Sequence, residues 1–155
     1  MKNIFIFIAL SLVACLRSNE KTESLEGLNL LERVHILNLT NLGTEEKPLY
    51  YFNDALFTGI AFENYYSGQL LFERSYKDGK LDGLAQVWWE NGRLQGTAEW
   101  KDGKQDGLTQ IWWENGFIRA KTNWKDGEQN GLSQAWSKDG QLMYELMWKD
   151  GVQKD

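Results

Sequence analysis

In residues 93–100, 117–124 and 141–148, apolar and polar positions alternate with a period of two, and glycines recur between these runs at fixed intervals. Leu94, Gly96, Ala98 and Trp100 fall on one side of an extended chain, and Arg93, Gln95, Thr97 and Glu99 on the other. The same alternation separates Ile118, Ala120, Thr122 and Trp124 from Phe117, Arg119, Lys121 and Asn123. It also separates Leu142, Tyr144, Leu146 and Trp148 from Gln141, Met143, Glu145 and Met147. Nothing in this region combines helical spacing with capping residues, so the pattern predicts half-buried β-strands.

The strands are punctuated by two kinds of turn. Asn91-Gly92, Asn115-Gly116 and Asp139-Gly140 stand between alternating runs, the strongest local signal for a tight hairpin. A two-residue Asn-Gly loop sets Trp89 opposite Leu94, Val87 opposite Gly96 and Ala85 opposite Ala98. Leu84, Gln86 and Trp88 then take the other face. A three-residue loop slips the register by one and exchanges these sets. At the other end of each hairpin is K-D-G-K-x-D-G or a close variant, with Gly79 and Gly83, Gly103 and Gly107, and Gly127 and Gly131. Its two Asp-Gly or Asn-Gly pairs are expected to form one longer turn.

These signals recur with one period. Gly59, Gly83, Gly107 and Gly131 are 24 residues apart, as are Gly68, Gly92, Gly116 and Gly140, and Gly79, Gly103, Gly127 and Gly151. Phe52, Tyr76, Trp100, Trp124 and Trp148 follow the same step. A fixed period of this length is the mark of a repeat architecture. The expected fold is therefore all-β: an open antiparallel meander of tandem 24-residue β-hairpins. Units of about 52–75, 76–99, 100–123 and 124–147, with a partial unit 148–155, make a repeat domain over 49–155. Residues 28–48 read as a lead-in, a short helix or strand ending near Pro48, the single proline.

Before the lead-in, Lys2 and the apolar run Ile4–Val13 have the form of a targeting segment, which is set aside from fold reasoning. Leu12-Val13-Ala14-Cys15 resembles the lipobox of bacterial lipoproteins. That resemblance implies a signal peptide over 1–14 and diacylglycerol on the Cys15 thiol; the polar stretch after it reads as a flexible tether, over 15–27. The resemblance also implies a location at the bacterial cell envelope, anchored by lipid to the extracytoplasmic face of a membrane. Cys15 is the only cysteine, so the rest of the chain has no disulfide to stabilise it. The formal charge of −5 becomes −6 without Lys2, a poor balance for nucleic acid or anionic headgroups.

The pattern G-L-x-x-x-W-W-E-N-G-x-hydrophobic, followed by W-K-D-G-K-x-D-G, is similar to the MORN-repeat variant of bacterial YwqK-family antitoxins. The resemblance spans about residues 30–155 and includes Phe57-Thr58-Gly59 at the start of the first unit. It implies an all-β meander of stacked hairpins without enzymatic activity. The lipobox departs from a cytoplasmic antitoxin, and Ser137 replaces the second Trp in the last full unit.

The residues themselves offer little catalytic chemistry. His35 is the only histidine and has no cysteine partner. The carboxylates recur once per repeat at turns, where Asp stabilises the turn. Asp78-x-Lys80-x-Asp82-Gly83 has the outline of a calcium loop, but a cation stands at the third position and Trp89 at the twelfth, where a bidentate Glu is needed. No catalytic residue, metal or cofactor is expected.

The eight tryptophans all lie in the repeats. Trp89, Trp100, Trp113, Trp124 and Trp148 are expected to pack. The remaining three, with the leucines four residues before them, form a candidate binding stripe: Leu84, Trp88, Leu108, Trp112, Leu132 and Trp136. A repeated apolar row on a polar face suits a protein partner, either a toxin or an envelope component. Alternatively, repeated Trp-Gly hairpins resemble choline-binding wall repeats, which points to a cell-wall or glycan-binding module.

Overall fold

The computed structural model describes residues 32–155. The proposed signal segment, Cys15 and the tether lie outside the described residues. A ten-stranded sheet runs in sequence order. It comprises β1 (Glu32–His35), β5 (Gly59–Asn64), β6 (Leu70–Lys77), β7 (Lys80–Trp88), β8 (Leu94–Lys101), β9 (Lys104–Trp112), β10 (Ile118–Lys125), β11 (Glu128–Trp136), β12 (Leu142–Lys149) and β13 (Val152–Lys154). From β5 onward every neighbour is antiparallel, the meander that the alternation predicts. The lead-in supplies β1, which lies parallel to β5, then a 3-10 turn, Ile36–Asn38. Thr40–Asn41 (β2), Tyr50–Phe52 (β3) and Ala55–Leu56 (β4) form a separate three-stranded sheet.

The two ends of each hairpin differ from the sequence expectation, and in opposite senses. The shorter turn is Asp-Gly. Lys77 pairs directly with Lys80, and Asp78 and Gly79 take φ of 48° and 76°, the two positive values of a type I′ turn. The same geometry recurs at Asp102-Gly103, Asp126-Gly127 and Asp150-Gly151. Asn91-Gly92 is not a two-residue loop. The Trp89 N–H donates to the Arg93 carbonyl at 2.8 Å, leaving Glu90, Asn91 and Gly92 as a three-residue loop. The Asn91 side-chain oxygen accepts the Arg93 N–H at 3.0 Å, so this Asn serves the turn through its side chain rather than through a positive φ.

The extra loop residue does not carry its slip through the hairpin. Trp88 faces Leu94, but Val87 faces Gly96 and Ala85 faces Ala98, because the register shifts by one between Val87 and Trp88. A bulge at Gln95 restores the pairing that a two-residue loop would give. Equivalent shifts follow the loops of the other hairpins.

Each repeat places an aromatic residue opposite a glycine. Tyr76 pairs with Gly59, Trp100 with Gly83, Trp124 with Gly107 and Trp148 with Gly131. A large ring across from glycine offsets the packing that glycine lacks in a strand. The glycine is required for its own reason. Gly107 has φ +122°, and an added Cβ would come within 2.8 Å of the Glu99 Cβ.

The buried core sits at the N-terminal end, where Val34, Phe57, Ala61 and Tyr76 pack with Tyr50, Phe52 and Leu81. Tyr50 and Phe57 approach the Tyr76 ring at centroid distances of 5.1 and 5.7 Å. Beyond this end the ribbon is one layer thick and most side chains are half-buried, as in repeat proteins whose units contact only their neighbours. The Tyr76 hydroxyl is buried without a hydrogen-bond partner, and burial pushes its pKa up.

Two outcomes follow. Gly107→Ala, strained and crowded, should cost several kcal/mol in urea unfolding, whereas Gly116→Ala, at φ +93° with open space around it, should cost about 1–2 kcal/mol. The Tyr76 contribution has a defined sign. Because the folded-state pKa is raised, its stabilisation is complete below the unfolded value of 10.0 and is lost as pH rises through the folded pKa. Tyr76→Phe should therefore flatten the alkaline fall in the unfolding midpoint.

Candidate interaction surface

The ladder assigns every strand residue to one of two faces. Leu84, Trp88, Leu108, Trp112, Leu132 and Trp136 lie on the same face, with Gln86, Gln110 and Gln134 between them. Across the strands, Leu84 pairs with Glu99, Leu108 with Asn123 and Leu132 with Met147. Trp88, Trp112 and Trp136 pair with Leu94, Ile118 and Leu142. The candidate stripe is thus two apolar rows flanking a polar middle row, rather than one continuous band. Leu84 is 44% exposed, and the other five are half-buried.

The opposite face carries Trp100, Trp124 and Trp148 toward the Asp-Gly turns. Between the strand ends it is lined by small residues such as Ala85, Gly96, Ala98, Thr109, Ala120 and Thr122. The indole nitrogens of Trp89, Trp100, Trp124 and Trp148 are covered and make no hydrogen bond, the condition of packing residues. Trp113 instead donates from its indole N–H to the Trp136 carbonyl at 3.1 Å, one repeat along. The Tyr65 hydroxyl makes the same reach to the Trp88 carbonyl at 2.9 Å.

Sequence reasoning missed how the repeats are joined. The second Asp-Gly of K-D-G-K-x-D-G is not part of the turn; it lies within β7, β9 and the equivalent strands. There its side chain meets the turn of the next repeat. The Asp102 N–H donates to Asp82 Oδ2 at 3.1 Å, and the Asp126 N–H to Asp106 Oδ2 at 3.3 Å. Thr58 fills the same role for the Asp78 N–H at 2.9 Å, and Asn130 donates to Asp150 Oδ1 at 2.9 Å. The turn glycines complete the join: the N–H groups of Gly79, Gly103 and Gly127 donate to the carbonyls of Phe57, Leu81 and Gln105, each at 2.8 Å. On the loop edge, Asn91 Nδ2 donates to Glu114 Oε1 and Asn115 Nδ2 to the Lys138 carbonyl. The 24-residue recurrence of Thr58, Asp82, Asp106 and Asn130 was the available signal.

These commitments account for much of the polar chemistry. Lys125 donates to Asp106 Oδ2 at 2.7 Å; this bond, with the Asp126 N–H, holds the Asp106 carboxyl below its ordinary range. The bond to Asp106 also raises the pKa of Lys125. His35 Nδ1 accepts the Leu37 N–H at the start of the 3-10 turn, and its ring meets Phe62 edge-on at 5.4 Å. Among the described residues, no group of three or more His, Cys, Asp or Glu side chains is arranged to hold a metal ion.

The family model described as MORN repeat variant matches residues 57–78, 81–102 and 129–150. Each match is one hairpin with its central three-residue loop, and the hairpin between the last two, β9–β10, has the same construction. No curated protein and no solved structure matches the chain. Repeats of this kind are generally non-enzymatic and commonly act in protein or membrane interaction. The described residues form an all-β array of hairpin repeats, three of which match the MORN repeat variant.

The join between repeats has a pH signature. Since the Asp106 pKa is depressed on folding, its contribution is present above the unfolded value of 3.8 and is lost as pH falls through the folded pKa. Asp106→Asn keeps an oxygen for the Asp126 N–H but loses the ion pair. Its urea midpoint should lie somewhat below that of the native chain at neutral pH, and the difference should shrink as pH falls through the folded pKa of Asp106.

Proposed function

We propose that this protein is a non-catalytic repeat module of the bacterial cell envelope. It is held to a membrane by lipid on Cys15 and binds a protein partner through the face bearing Leu84, Trp88, Leu108, Trp112, Leu132 and Trp136. The partner is a toxin, giving an immunity-like role akin to the YwqK-family antitoxins, or an envelope protein. The observation that carries this reading is the regular placement of those six residues. Neighbouring strands are about 4.8 Å apart, so the tryptophans repeat about every 10 Å on one side of a single-layer sheet. Aromatic side chains at that spacing suit a partner with its own row of apolar groups. The anchor rests on the Leu12-Val13-Ala14-Cys15 motif. Two acyl chains bury enough methylenes, at about 0.8 kcal/mol each, to retain a protein at a membrane.

Crosslinking from the anchored protein in intact cells tests the surface. Trp88→Ala, Trp112→Ala and Trp136→Ala together should abolish a specific protein crosslink. Leu84→Glu, at an exposed position that the fold does not need, should weaken the same crosslink severalfold. A crosslink unaffected by either variant rejects the surface, and retention on purified envelope polysaccharide without any protein crosslink assigns it to glycan instead. For the anchor, Cys15→Ser should abolish metabolic labelling with palmitate and move the protein from the membrane fraction to the soluble fraction.

A further inference from the structure

The face opposite the proposed stripe holds a second feature. A shallow groove of about 580 Å³ has an apolar floor that includes Val87, Gly96, Ala98 and Ile111, and both Arg74 and Arg119 line it. Each guanidinium lies over an aromatic ring: Arg74 Cζ is 4.2 Å from the Phe72 centroid, and Arg119 Cζ is 4.5 Å from that of Trp113. Stacking of this kind orients a guanidinium while leaving its N–H edge available.

Arg33 provides the contrast. It also stacks, on Phe62, but it forms an ion pair with Glu73. Neither Arg74 nor Arg119 is paired with a carboxylate among the described residues. A third cation, Lys138, stands 5.4 Å from the Trp113 ring beside Arg119. The one carboxylate lining that adjoining cleft, Glu114, already accepts from Asn91. A local excess of positive charge thus sits on a chain whose net charge is −5.

We infer that this groove binds an acidic, apolar segment of a partner protein, with carboxylates seated on Arg74 and Arg119 and apolar side chains on the floor between them. Guanidinium forks match carboxylates with two parallel hydrogen bonds. Arg74 is on β6 and Arg119 immediately follows Ile118 at the start of β10, four strand steps apart or roughly 20 Å along the ladder, which an extended segment covers in about six residues. The ligand is therefore two acidic residues about six positions apart, on the same side of an extended segment, with about five mainly apolar residues between them. A membrane surface fits less well, because the guanidiniums border a groove and the acidic remainder of the protein repels anionic headgroups. This site is independent of the stripe on the other face.

The test uses the full chain in phosphatidylcholine vesicles and two labelled peptides, each with five apolar residues flanked by glutamates or by lysines. The glutamate peptide should bind, with an affinity that falls as salt is raised, and the lysine peptide should not. Arg74→Gln or Arg119→Gln should each weaken binding about tenfold or more. Leu84→Glu should leave it unchanged, which separates this groove from the proposed stripe. Unchanged urea midpoints for the arginine variants establish that the fold is intact. Equal binding of the two peptides, or binding insensitive to both arginines, overturns the inference. Arginine-dependent competition by vesicles containing phosphatidylglycerol overturns it in favour of a membrane surface.

Discussion

The pairing of an aromatic ring with a glycine across neighbouring strands is the constraint on which the rest of this ribbon depends. A single-layer sheet has no second layer to bury its side chains, so each unit must generate its own packing. Trp100, Trp124 and Trp148 do so by standing opposite Gly83, Gly107 and Gly131, where no side chain competes for the space. The glycines in turn occupy bulged positions at positive φ that L-residues avoid. Ring and glycine are thus one unit split between two strands, and the 24-residue period is the distance at which the chain returns to complete the next one.

Two hydrogen-bonded edges convert these units into a continuous body. On one edge, each type I′ turn leans on the preceding repeat, through its glycine N–H and through the Asp N–H that Thr58, Asp82 or Asp106 accepts. On the other, loop asparagines reach one repeat forward. The enclosed core is confined to the N-terminal end, where Tyr76 meets Tyr50 and Phe57. Beyond it, most side chains of the described sheet are half-buried or exposed on both faces. One face carries two apolar rows around a polar middle row, and the other carries a groove lined by Arg74 and Arg119.

The meander and its period were legible because glycine, aromatic and Asx-Gly positions all recur in phase. The turn types were not, because Asn-Gly and Asp-Gly carry nearly the same local signal. What distinguishes them lies outside the dipeptide: the Asn91 side chain bonds Arg93 in its own loop and Glu114 one repeat on, while the Asp78 N–H bonds Thr58 one repeat back. The distal register could be read despite the wrong loop because the Gln95 bulge cancels the added residue. Face membership of Leu84, Trp88 and their equivalents followed from that register. The polar row between them followed too, but a reading centred on tryptophan passed over it. The groove was harder to see, since Arg74 and Arg119 come from different positions in the repeat and meet only through the stacking order of strands.

Amide hydrogen exchange at the turn glycines tests the joined-repeat architecture most directly. N–H groups at the tips of two-residue hairpins ordinarily face water and exchange quickly. Here the Gly103 and Gly127 N–H groups donate to Leu81 and Gln105 one repeat back, so both should exchange at rates close to those of strand amides in β8 and β9. Rapid exchange at Gly103 and Gly127, alongside protected strands, would contradict the model of repeats locked edge to edge and leave only independent hairpins.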